Sequence, residues 1–244
     1  MKLALPLITI AATFVLSACG GGGGDGGSST DTAPVVVVPP VVNPTQPALS
    51  TYSLQTAYAA LVKAGSTVNY AVTGSCSGTA SFAATPASST TFNGVAAQQV
   101  TNTSTLSLTN CVGNSATTQS YYDSSFNLLG NATTAANSYG FVDGTAVLPA
   151  AATVGSSGNF GTLKVYSDSA KATQVGTIVL SYALATETST TELFTLTSKS
   201  YNLSNTLLQT QAQTYRVQAN GTLKPLSIDL LAVSPASHLV LTAN

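Results

Sequence analysis

Cysteine, histidine and carboxylate supply most of the chemistry that protein side chains do unaided, and this chain holds few of them: three Cys, one His and eight Asp plus Glu in 244 residues. Beyond residue 50 they are Cys76, Cys111, His238, Asp123, Asp143, Asp168, Glu187, Glu192 and Asp229. A serine hydrolase needs its imidazole beside an activated hydroxyl. His238 stands near the carboxyl terminus after the last strong strand, no Gly-x-Ser-x-Gly elbow occurs, and Gly155-Ser156-Ser157-Gly158 lacks its spacing. It reads as an exposed terminal histidine. A glycosidase needs two carboxylates facing each other across a cleft. Asp123 and Asp168 fall in turn sequences, where Asp accepts from its own backbone. Asp143 precedes Gly144, and Glu187 and Glu192 flank another turn. Two thiols and one distant histidine make a poor zinc set. Cys-x-x-Cys, calcium-loop and phosphate-binding glycine motifs are absent from the sequence. The expectation is no catalytic residue, no metal and no cofactor, hence a protein that is not an enzyme.

The amino terminus is more informative. Lys2 precedes an uncharged stretch from Leu3 to Leu16, then Ser17, Ala18 and Cys19. A cation, a short apolar run and a small-residue exit describe a secretory signal. Glycines begin at Gly20, before the ~20 apolar residues that a membrane-spanning helix requires. Leu16-Ser17-Ala18-Cys19 resembles the lipobox of bacterial lipoproteins. That resemblance implies cleavage before Cys19, a diacylglyceryl thioether on its sulfur and an acylated amino terminus. It covers residues 1–20 alone. Gly20 follows where aspartate, in enterobacterial members, favours inner-membrane retention, so the resemblance leans to the outer membrane. Each buried acyl CH₂ contributes about 0.8 kcal/mol, and two or three chains together hold a protein permanently.

Gly20 to Gly27, interrupted only by Asp25, is a flexible leash. Ala33 to Pro47 is rich in proline and valine. Proline lacks a donor and fixes φ, so this segment is expected to run as polyproline II at about 3.1 Å per residue. The predicted organisation is a signal peptide over 1–18, the lipidated cysteine with a Gly/Pro-rich tether over 19–50, and one β-rich domain over 51–244. With Cys19 acylated and the chain exported, Cys76 and Cys111 are left as a disulfide pair in an oxidising compartment. Closing the loop between them is worth about 4 kcal/mol in the chain-entropy model.

Charged residues make up 6% of the chain and the net charge is −1, against about 25% charged in ordinary domains. Without a basic patch, nucleic acid is a poor partner. Ser53 to Lys63 is the helix candidate: Ser53 can cap, Leu54, Tyr58, Leu61 and Val62 form one stripe, and Gly65 stops it. Everything beyond reads as β. Val68, Tyr70 and Val72 alternate, then Thr79 to Ala84 returns. Pro86 to Thr91 reads as loop, and Val95 to Cys111 as a strand. Ile178, Leu180, Tyr182 and Leu184 alternate, as do Tyr215 and Val217 with Arg216 opposite. Asn220-Gly221 predicts a type I′ hairpin, Leu223 to Val233 follows, and His238 to Thr242 reads as a last edge strand. Tyr121-Tyr122-Asp123, Val165-Tyr166-Ser167-Asp168 and Tyr201-Asn202 each lead from a tyrosine-ended strand into a turn, too irregularly spaced for a solenoid.

Eight to eleven strands with one early helix predict a mainly β fold: a large antiparallel meander, as a curved sheet, open barrel or sandwich, with one short N-terminal helix. Its ten tyrosines raise carbohydrate stacking, but Tyr182 and Tyr215 sit on apolar strand faces and are read as core. The functional expectation is an outer-membrane-anchored lipoprotein with a non-catalytic β domain for binding or display in the bacterial envelope, on its periplasmic or surface side. Its partners are the membrane, through the lipid, and a protein, glycan or apolar ligand. The alternative is a periplasmic carrier of a lipid or other apolar ligand in the cavity of a curved sheet.

Overall fold

In the computed structural model residues 51–109, 111–218, 220–233 and 236–244 are described. The lipobox, Cys19 and the tether lie outside them. A two-residue strand, β1 (Thr51–Tyr52), leads into α1 (Leu54–Ala64). Ser53 caps the helix, its Oγ accepting the Thr56 N–H at 3.3 Å, and Gly65 ends it at φ 69°, a conformation that L side chains resist. Leu54 and Tyr58 are buried, while Leu61 and Val62 are half-buried. The stripe expected from the sequence is therefore the face that packs.

The chain then weaves up and down through β2 (Ser66–Gly74), β3 (Gly78–Ala84), β4 (Ser88–Phe92), β5 (Val95–Leu108), β6 (Asn114–Tyr122) and β7 (Leu128–Thr133). A 3₁₀ turn, Thr134–Ala136, precedes β8 (Ser138–Val142), and a long connection carries the two-residue β9 (Ala152–Thr153), which pairs with β1. The last six strands are β10 (Ser157–Tyr166), β11 (Gln174–Thr186), β12 (Glu192–Asn202), β13 (Leu207–Val217), β14 (Leu223–Val233) and β15 (Ala236–Ala243). Every pairing is antiparallel. Because β3 also pairs with β5, the sheet closes into a 12-strand barrel, with β4 continuing the edge of β5 beyond β3.

The strands number fifteen among the described residues, more than the eight to eleven expected, and three local expectations are corrected as well. The segment Pro86 to Thr91 holds a strand, since Ser88–Phe92 pairs with Val95–Gln99 through an Asn93-Gly94 turn with both residues at positive φ. The last strand is no edge: β15 lies between β14 and β2 and helps close the wall. Asn220-Gly221 is not a two-residue turn. Gln218 N–H donates to Thr222 O and Gly221 N–H to Gln218 O, which makes a three-residue loop with Gly221 at φ 79°.

The tyrosine-ended likeness has a structural basis. At the β6–β7 turn, Asp123 Oδ1 accepts the N–H groups of Ser125 and Asn127, and Phe126 sits at φ 62°. At the β12–β13 turn, Asn202 Oδ1 accepts those of Ser204 and Thr206, and Asn205 sits at φ 58°. The longer β10–β11 turn uses both carboxylate oxygens of Asp168, Oδ1 accepting the Ala172 N–H and Oδ2 that of Thr173, with Lys171 at φ 62°. Two hairpins share one local solution and the third is a variant of it. Each satisfies turn N–H groups with a side-chain oxygen that the sequence marks.

Twelve strands enclose a lumen wider than strand side chains alone fill, since eight already leave just enough room. α1 and the 143–156 connection take up the difference. Leu54, Tyr58, Ala146, Leu148 and Ala152 join buried residues of eight wall strands in the larger apolar cluster, among them Val100, Tyr122, Leu163, Ile178, Leu180, Phe194, Tyr215 and Leu223. The helix thus stops one mouth. At the other end Cys76 and Cys111 lie at disulfide distance, Cα–Cα 5.9 Å. They tie the β2–β3 turn to the segment after β5, beside a second cluster of Tyr70, Val72, Phe82, Leu106, Leu230, Leu239 and Leu241. Other inward positions are polar: Asn102, Ser104, Thr118, Ser120, Ser198, Gln209, Gln211 and Gln213 are all buried. Outward positions carry hydroxyls, as at Thr101, Thr103, Thr105, Thr195, Thr197, Thr210 and Thr214. Other outward positions are aliphatic, among them Val179, Leu193 and Leu231.

Candidate functional site

The residues singled out in the sequence are dispersed. The imidazole of His238 lies 3.1 Å from Asp229, both half-exposed on the outer wall, while the Ser75 hydroxyl accepts the main-chain N–H of His238 at 3.0 Å. That serine is therefore engaged by backbone. Asp143 pairs with Lys164 at 3.0 Å. Glu187 receives the forked guanidinium of Arg216 and the Thr191 hydroxyl, which hold its carboxyl below the usual carboxylate range, Arg216 above all. Glu192 is buried at the inward start of β12. Tyr215 is core, and Tyr182 is half-buried against the same cluster. Cys19 lies outside the described residues.

Two spaces remain. The inner one lies between α1 and the wall, about 80 Å³, lined by Tyr58, Tyr70, Tyr122, Tyr215, Asn102 and Gln213 among others. Its phenols are desolvated. Burial pushes Tyr70 up to about 12 and raises Tyr58, Tyr122 and Tyr215 as well. The Tyr215 hydroxyl donates to Gln213 Oε1 at 2.7 Å, and Asn102 Nδ2 donates to Ser120 Oγ at 3.0 Å. This space is about half of the ~150 Å³ that admits benzene, and well below the ~300 Å³ at which ligand pockets begin.

The outer space is larger, about 290 Å³, and lies between the β4–β5 turn, the β6–β7 turn and the 143–147 segment. Phe92 and Phe141 form its aromatic side. They belong to a ladder in which Tyr121 stacks on Phe92 at 4.2 Å and Phe92 on Phe141 at 5.2 Å, with Tyr166 edge-on to Phe141 at 5.8 Å. The ladder exists because Tyr121, Gly130 and Phe141 stand opposite one another on β6, β7 and β8. The glycine leaves a slot that the Phe92 ring fills, a way of covering an open glycine in a sheet. Lys171 places its ammonium 4.2 Å above the Phe141 ring. Asp123 and Asn127 form the far wall, and Asn127 Oδ1 also accepts from Gln55 of α1 at 3.0 Å.

Sequence reasoning weighed Asp123 as a turn residue and did not single out Phe92, Phe141 or Lys171. The signals were present as Asn93-Gly94 and as glycines inside two neighbouring strands, Gly130 and Gly140, which mark places where something passes close to the backbone. No protein-family model, curated protein or solved structure matches this chain, so the functional reading rests on its own residues.

Proposed function

We propose that this protein is a lipid-anchored, non-catalytic barrel of the bacterial outer membrane that binds or displays on its outer surface. The observation that carries the reading is the contrast between its two spaces. The lumen holds α1, the 143–156 connection and strand side chains, with a space of about 80 Å³ beside the helix, whereas the cleft on the outer wall offers about 290 Å³. A carrier needs the opposite arrangement, a hollow interior behind a solid wall. Residues 16–19 supply the attachment, and the tether delivers the chain to Thr51 beside the helix-stopped mouth.

Detergent-phase partitioning of the full chain and of Cys19→Ala tests the anchor. The wild type is expected in the detergent phase with a mass increased by acylation at the mature amino terminus, and the variant in the aqueous phase. Aqueous partitioning of both, with an unmodified Cys19 mass, would overturn the proposal. Protease treatment of intact cells then reports which side of the membrane the barrel faces.

A further inference from the structure

We infer that the outer cleft is a binding site for a small amphiphile, a single apolar chain ending in a carboxylate, with Lys171 as the residue that recognises the anionic head. This deepens the binding reading above by naming the ligand class, and does not depend on the lipid anchor.

The walls call for an apolar body. Phe92 and Phe141 line the cleft together with Val95, Leu129 and Val147. Val95 and Val147 are 52% and 42% exposed, so the cleft presents apolar surface to solvent. The volume, about 290 Å³, is about twice the cavity that takes up benzene. It therefore suits a body of about twelve heavy atoms.

Charge fixes the head group. Of the ionic groups around the cleft, Asp143 is paired to Lys164. The Asp123 carboxylate accepts from Ser125 N–H, Asn127 N–H and Asn127 Nδ2 at 2.8 to 2.9 Å. The ion pairs among the described residues are Lys164–Asp143, Arg216–Glu187 and His238–Asp229. Lys171 belongs to none of them. It is half-buried, and its charge rests on the face of Phe141. Its backbone is also held at φ 62°, at the corner position that Phe126, Asn205 and Gly221 occupy in the β6–β7, β12–β13 and β13–β14 turns. Asn and Gly are the residues such a corner prefers. A lysine there carries a local conformational cost, and its ammonium joins no ion pair among the described residues, the Asp168 carboxylate of the same turn being taken up by the N–H groups of Ala172 and Thr173. A carboxylate seated there gains a charge-assisted bond at a partly desolvated site, while its chain lies along the valines.

The test titrates sodium decanoate, decan-1-ol and decyltrimethylammonium calorimetrically into the full-length chain carrying Cys19→Ser, prepared without detergent. Decanoate is expected to bind at least tenfold more tightly than the alcohol, and the cation not at all. Lys171→Gln should erase the advantage of decanoate while leaving the alcohol unchanged, and Lys171→Arg should keep it. Val147→Glu should weaken decanoate and alcohol both, and decanoate the more, because the new carboxylate repels its head. Equal affinity for decanoate and decanol would overturn the inference, as would retention of the difference in Lys171→Gln. So would preference for the cation, which would place the head at Asp123, or no effect of Val147→Glu, which would place the ligand elsewhere. Unaltered thermal midpoints show that each variant is folded, so absence of decanoate binding to the wild type also counts against it. None of these outcomes touches the partition of the Cys19 variants, so the two readings fail separately.

Discussion

The ring of Phe92 lies over the backbone of Gly130, so close that a Cβ at position 130 would stand 2.7 Å from two of its ring carbons and against the carbonyl oxygen of Gly140. Strand β7 thus contributes an absence, and the ladder Tyr121, Phe92, Phe141 depends on it. Gly130→Ala is expected to expel Phe92 and destabilise by about 1–3 kcal/mol, with loss of near-ultraviolet circular dichroism from the stacked rings. An unchanged spectrum and denaturation midpoint would show that the ring can be displaced without consequence.

Leu54 is fully buried and belongs to the helix that stops the lumen. Truncating it to alanine leaves a hole that the closed wall cannot collapse around, so Leu54→Ala should cost about 2–5 kcal/mol in urea unfolding. Leu61→Ala, half-buried on the same helix, should cost distinctly less. If the two are equal, the helix does not insert as described.

Buried tyrosines make the barrel sensitive to base. Burial raises Tyr70 to about 12, and Tyr58, Tyr122 and Tyr215 are raised too, against ~10 in the unfolded chain. Between those values the unfolded state has released the proton while the folded state keeps it, so stability falls as pH rises. It is fully present below pH ~10 and is lost as pH climbs through the folded value, with a slope of up to about 1.4 kcal/mol per unit for each such group. Denaturation midpoints at pH 8 and 11, with tyrosinate absorbance at each, check the direction. A midpoint independent of pH would contradict it.

Cys111 is half-buried while Cys76 is buried, so Cys111→Ser removes the cross-link with the smaller loss of packing. It should destabilise by about 4 kcal/mol in the chain-entropy model. Reductant should lower the midpoint of the wild type to that of the variant and leave the variant unmoved. A variant as stable as the oxidised wild type would show that closure of β3 onto β5 already fixes this end.

Gln211 is 2% exposed and its Oε1 has no hydrogen-bond partner among the described residues. A desolvated acceptor left unmade costs about 1–3 kcal/mol, so Gln211→Met, similar in length and apolar, should raise the denaturation midpoint. A fall would reveal a partner that the amide serves.

How much of this was legible follows from the polarity of inward positions. Where strands turn aliphatic side chains inward, as with Ile178, Leu180 and Leu184 or Tyr70 and Val72, alternation exposes the strand in the sequence. Strand β13 turns in Gln209, Gln211 and Gln213, and β6 turns in Thr118 and Ser120, so half of each reads as polar on both faces. Strand β4, Ser88-Ser89-Thr90-Thr91-Phe92, has no alternation at all and forms because β5 offers it a free edge. Closure was illegible for a related reason: pairing of β3 with β5 depends on tilt and stagger, which no local pattern encodes. The cleft escaped notice because Phe92, Phe141 and Lys171 come from three separate turns and strands, brought together only by the register across Gly130.

Thr51 and Tyr52 hold the start of the domain through just two residue pairings with Thr153 and Ala152, immediately ahead of α1. A pull transmitted along the leader would therefore load that short contact first and then withdraw the helix like a cork. The ring of twelve strands, sewn shut through β3 and β5, would be the last part to yield. Its mechanical weak point and its stopper are the same stretch of chain.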